Sequence, residues 1–96
     1  MEGNIINIGE VNISSLAKEL INKKDIEIAT NRIIHRDFGN LCDMECEIQL
    51  IDVNYNDRKS MKLFGIYKSS NNHEFYVIVS EDRKNTNVLL CDEYEN

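Results

Sequence analysis

Glu74-Phe75-Tyr76-Val77-Ile78-Val79-Ser80 holds only β-branched and aromatic residues between its polar ends, the enrichment expected of a strand paired on both sides. Upstream, Met61-Lys62-Leu63-Phe64-Gly65-Ile66-Tyr67 is of strand length, and Ser69-Ser70-Asn71-Asn72 in the polar linker tolerate turn conformations. Downstream, the charged and amide-rich Glu81-Asp82-Arg83-Lys84-Asn85-Thr86 precedes a third apolar run, Asn87-Val88-Leu89-Leu90-Cys91. Two successive hairpins predict an antiparallel meander with the middle run central. In a strand, Phe75, Val77 and Val79 face one way and Tyr76 and Ile78 the other. One face therefore receives helices, and a second apolar patch is left for the N-terminal segment or a second subunit to cover.

The preceding residues read as that helical cover. Ile5-Ile6-Asn7-Ile8-Gly9 suits a short strand or an extended lead-in ended by Gly9. Ser14 or Ser15 can cap a helix with Leu16, Leu20 and Ile21 on its apolar side. Asp25 can cap a second, spanning roughly Ile26 to Asp37, that keeps an apolar face through Ala29 and Ile33 until Gly39. The clearest helical period follows, with Leu41, Met44, Ile48, Ile51 and Tyr55 spaced 3, 4, 3, 4. Asn40 suits its N-cap, and Asp43 and Glu45 suit the positive end of its dipole. Helices first and strands after predict an α+β fold, three N-terminal helices on a three-stranded antiparallel meander. The 96 residues form a single domain, with a lead-in over 1–12, a helical part over 13–57 and a sheet part over 60–92.

Composition narrows the function classes. With 42% hydrophobic and 29% charged residues, and with apolar runs far shorter than a spanning helix requires, a globular soluble protein is expected. The N-terminal residues lack a secretory signal pattern, so the cytoplasm is the expected compartment. Seventeen acidic against eleven basic residues give a formal charge of −6, which opposes direct nucleic-acid or anionic-membrane binding and favours a protein partner with a basic surface. The three cysteines, Cys42, Cys46 and Cys91, are an odd number and are expected to be reduced and to serve as small apolar residues.

From Asp37 to Tyr94 the chain resembles a family of small uncharacterised plasmid- and prophage-associated proteins of mobile genetic elements. The likeness rests on Asp37-Phe38-Gly39 with Leu41 and Cys42, then Tyr67, Phe75-Tyr76-Val77-Ile78, Asp82-Arg83, Thr86, Leu89-Leu90 and Glu93-Tyr94. Phe38 stands where the family pattern has tryptophan, Asn71-Asn72 where it has aspartate-glycine, and Cys91 where it has proline. The resemblance implies residence on a mobile element. It implies no catalytic residue, and Asp37, Phe38, Gly39, Tyr67, Asp82, Arg83 and Thr86 are expected to be structural.

The chemistry-bearing residues admit few arrangements. Cys42 and Cys46, four apart on a helix with His35 nearby, could offer three soft ligands, but zinc wants a fourth and ordinary packing suits the spacing better. His35, Asp37 and Asp82, with Glu93, would make an acid/base set for a small hydrolase or nuclease-like enzyme if they converged, yet no nucleophile motif or glycine-rich phosphate loop accompanies them. No cofactor, metal or catalytic residue is therefore expected. Tyr76, Ile78, Asp92, Glu93, Tyr94 and Glu95 could form a recognition surface for a basic groove. The expected function is a non-enzymatic acidic binding module of a mobile element, an inhibitor of a host nucleic-acid-targeting defence complex of the anti-CRISPR or antirestriction type.

Overall fold

The computed structural model describes residues 6–55 and 61–94, with side chains over 6–51 and 61–94. In chain order it contains β1 (Glu10–Ile13), α1 (Ser15–Leu20), α2 (Lys23–Ile34), α3 (Asp43–Tyr55), β2 (Leu63–Lys68), β3 (Glu74–Val79), β4 (Asn85–Leu90) and the single-turn α4 (Cys91–Tyr94). The strands form one four-stranded sheet in the order β1-β4-β3-β2. β2, β3 and β4 pair antiparallel in sequence, whereas β1 runs parallel to β4, with Glu10 opposite Asn85 and Ile13 opposite Val88.

This corrects the expectation of three N-terminal helices on a three-stranded antiparallel meander. The sheet is mixed, and its fourth strand comes from the start of the chain. Of the two readings of the segment before Gly9, a short strand or an extended lead-in, residues 6–9 form no strand, and the N-terminal strand lies after the glycine. Gly9 sits at φ +63, a conformation that costs glycine little, and an added Cβ there would lie 2.1 Å from the Lys84 carbonyl oxygen. The chain turns at this point and lies down beside β4. The Glu10 amide donates to Lys84 O at 2.9 Å, the Ser14 amide to Val88 O at 2.9 Å, and the buried Thr86 hydroxyl to Ile8 O at 2.6 Å. Glu10, Val11 and Asn12 are exposed, so backbone pairing rather than an apolar run makes this strand.

The helices begin where side chains can meet their orphan amides. Ser14 caps α1 by accepting from the Ala17 amide. Asn22, rather than Asp25, caps α2 by accepting from Lys24. Asp25 instead accepts from the amide and hydroxyl of Ser70, tying α2 to the β2–β3 turn. α2 ends before Gly39, because Arg36 takes φ +68 and stops the helix there.

The core lies between α1, α2 and one sheet face. Ala17, Ile21, Ile26, Ala29 and Ile33 from the helices meet Leu63, Tyr67, Phe75, Val77, Val79 and Val88 from the strands. α1 packs on β4 and α2 on β3. α3 does not join this layer. It runs along the β2 edge, where the Gln49 side-chain amide accepts from the Phe64 amide at 2.8 Å and donates to the Phe64 carbonyl at 3.1 Å. No helix among the described residues is long and apolar enough to cross a membrane.

Candidate docking site

Leu41, the first member of the 3, 4, 3, 4 period, lies just before α3, half-buried against the core, but within α3 the apolar stripe faces outward. Met44 is 70% exposed, Ile48 48% and Ile51 58%. The inward side is held by Gln49, which is buried, with Cys46 and Leu50 packed against the core. The expectation that this helix joins the other two in a layer on the sheet face is therefore corrected; the side chain of Tyr55, the last member of the stripe, lies outside the described residues. The cause is the neighbouring strand edge. The outward N–H and C=O of Phe64 need polar partners, and an amide side chain can supply both, so α3 turns its glutamine inward and its isoleucines out.

Beside α3, on the sheet face opposite the core, lies an open groove of ≈ 420 Å³. Leu41, just before α3, and Glu45 and Ile48 of α3 form one wall, while Phe64, Ile66 and Tyr76 form its floor. The pairings Phe64–Ile78 and Ile66–Tyr76 set these side chains in cross-strand rows. Tyr94 of α4 closes the far side, its ring 5.0 Å from Tyr76 and 6.0 Å from Phe64. Beyond it a second groove of ≈ 400 Å³ runs toward β1 over Ile78 and Leu89.

The carboxylates around the ridge lack balancing cations on the same helix. α3 carries Asp43, Glu45, Glu47 and Asp52 and no lysine or arginine, and Asp43, Glu45 and Glu47 are exposed. At 3.6 residues per turn, Glu45 falls on the groove side of the Met44–Ile48–Ile51 ridge and Asp43 and Glu47 on the other. An apolar ridge is thus bracketed by negative charge.

The residues singled out in the sequence are distributed differently. Tyr76 and Tyr94 belong to this second face, whereas Ile78 is only 8% exposed. Asp92 is exposed. Glu93 is engaged internally, accepting from the Ser14 hydroxyl and the Leu90 amide, each at 2.8 Å. Glu95 lies outside the described residues. Gln49, Met44, Ile48 and Ile51 enter the site only here, although the stripe itself was visible as a period.

The acid/base set does not assemble. Asp37 stands at the α2 end, bound by Arg32 at 2.8 and 3.2 Å and accepting from the Gly39 amide. The Arg32 contact holds its carboxyl below the usual range. His35 is exposed, with Nδ1 2.8 Å from the Asn31 carbonyl. Asp82 belongs to the β3–β4 turn, where it accepts from the Ser80 hydroxyl and the Lys84 amide. That turn is tied to the start of β2 through Arg83 and the Met61 carbonyl, while Asp37 is tied to its end through Tyr67. The Leu63-to-Tyr67 span of extended strand, on the order of 13 Å, separates the two. Cys42 is exposed, Cys46 and Cys91 are half-buried and all three are free thiols; burial raises the Cys46 pKa. Among the described residues no three His, Cys, Asp or Glu side chains cluster as a metal site.

The fold and site define a small mixed α/β domain that exposes an acidic-flanked apolar helix. Compared with protein-family models, curated proteins and solved structures, the chain finds no match.

Proposed function

We propose that this chain is a non-enzymatic, cytoplasmic protein-binding module of a mobile genetic element that inhibits a host nucleic-acid-targeting defence complex of the CRISPR or restriction type. The observation carrying the reading is the Met44–Ile48–Ile51 ridge, exposed at 70, 48 and 58% beside an aromatic-floored groove. Apolar side chains grouped on one exposed helix face, rather than scattered singly, mark interaction surfaces. The formal charge of −6 steers encounter toward basic surfaces, and the lysine- and arginine-rich lining of nucleic-acid-processing complexes is such a surface. The resemblance of residues 37–94 to mobile-element proteins supplies the biological setting.

The test is a pull-down from host lysate at two salt concentrations, joined to a plating assay in a strain with an active defence system. The wild-type chain is expected to retain a nuclease-complex subunit and to raise plating efficiency. Ile48→Asp is expected to lose both while melting at an unchanged temperature. A wild-type chain that neither retains such a subunit nor affects plating would overturn the proposal.

A further inference from the structure

We infer that the occupant of the α3 ridge and its groove is a basic amphipathic helix of another protein, not a second copy of this chain; the inference rests on the binding-module reading above. Three observations converge. The first is spacing: Met44, Ile48 and Ile51 stand at i, i+4 and i+7, the pitch at which one helix offers ridges to another, and the groove beside them gives apolar walls on two sides. The second is the state of the neighbouring strand edge. An extended peptide could dock here by adding a strand to β2, but Phe64 is already satisfied by Gln49, and Ile66 donates to Phe38 O at 3.1 Å and accepts from the Asn40 amide at 2.7 Å. With that ladder occupied, a partner must be read through side chains, as a helix is.

The third observation is charge. Exposed Asp43, Glu45 and Glu47 flank the ridge, and α3 has no cation. Two copies packed through α3 would set carboxylates against carboxylates, which disfavours self-pairing. A helix carrying lysines or arginines beside its apolar stripe places opposite charge at the same positions. Lys62 lines the Met61 end of the groove, which suits the negative C-terminal end of a docked helix.

The probe is a synthetic peptide of about 18 residues, about five turns of helix, with leucines on one face and lysines flanking them. One control has the same composition with its leucines scattered around the helix, and another replaces lysine with glutamate. Binding to the full chain is measured by fluorescence anisotropy at low and moderate salt, and its location by amide chemical shifts. The patterned lysine peptide is expected to bind at least about ten-fold tighter than either control, to shift α3 and groove amides, and to weaken with salt. The paired changes Glu45→Lys with Glu47→Lys, or Ile48→Ser with Ile51→Ser, are each expected to weaken it about ten-fold or more, with unchanged thermal melts excluding unfolding. Equal binding of the scattered peptide, shifts confined to other surfaces, or a dimer that Ile48→Ser dissolves would overturn the inference. If the host partner depends on the ridge but the peptide does not bind, the docked element is not a basic helix, and the inference fails while the proposed function stands. If neither partner nor peptide binds, both fail.

Discussion

Tyr67 joins more of the molecule than any neighbouring side chain of β2. Its ring folds back over Gly65, where an added Cβ would lie 2.3 Å from the hydroxyl oxygen, and passes beside Gly39, where an added Cβ would lie 2.8 Å from the ring. The hydroxyl then donates to the Asp37 carbonyl at 2.6 Å, and the Arg32 guanidinium lies 5.0 Å above the ring. Two glycines thus make room for one aromatic ring that pins the end of α2 to the sheet. Burial pushes the Tyr67 phenol above the ordinary tyrosine range, with Asp37 adding to the effect. Its folded pKa therefore exceeds its unfolded value of about 10. Above that pH the unfolded chain loses a proton that the folded chain keeps, so stability falls as pH rises. Tyr67→Phe is expected to cost about 1 kcal/mol at neutral pH through the lost hydrogen bond, and to escape this alkaline loss. In urea denaturation the gap between wild type and variant should narrow as the pH passes about 10; a constant gap would count against the account.

At the scale of elements, α3 separates two properties that usually travel together, helical periodicity and core packing. Its apolar stripe contributes little to folding because it stays in water, and its buried glutamine contributes by closing the β2 edge. Replacing Ile51 with Ser should leave stability within about 0.5 kcal/mol. Ile33→Ala, at a fully buried position of α2, should cost about 2–5 kcal/mol through lost burial and the cavity left behind. Gln49→Leu should cost about 1–3 kcal/mol, since it strands the Phe64 amide and carbonyl without partners. Chemical denaturation of the three variants checks the order. A large loss at Ile51 with none at Gln49 would mean that α3 packs through the opposite face.

For the molecule as a whole, the two sheet edges are treated differently. The β2 edge is covered by Phe38, Asn40 and Gln49. On β1, Glu10 and Ser14 point their amides at β4; by strand alternation those of Val11 and Ile13 point away from it, and no described residue bonds them. Hydrogen exchange should therefore find the Glu10 and Ser14 amides protected and those of Val11 and Ile13 exchanging fast. Uniform protection along β1 would show that this edge is covered.

The sequence by itself determined the two hairpins, because three short apolar runs separated by polar turn residues leave one way to pair locally. It also determined the existence of the long third helix and the separation of Phe75, Val77 and Val79 from Tyr76, since these follow from backbone period alone. Only the tertiary structure decided the parallel fourth strand, which is held by backbone hydrogen bonds of a mostly exposed segment whose four residues are too short a run for their alternation to mark it. It also decided which side of α3 meets the sheet. A period states that a helix has two faces, but the side that turns inward depends on what the neighbouring strand leaves unsatisfied, and here that was the backbone amide and carbonyl of Phe64, which Gln49 meets.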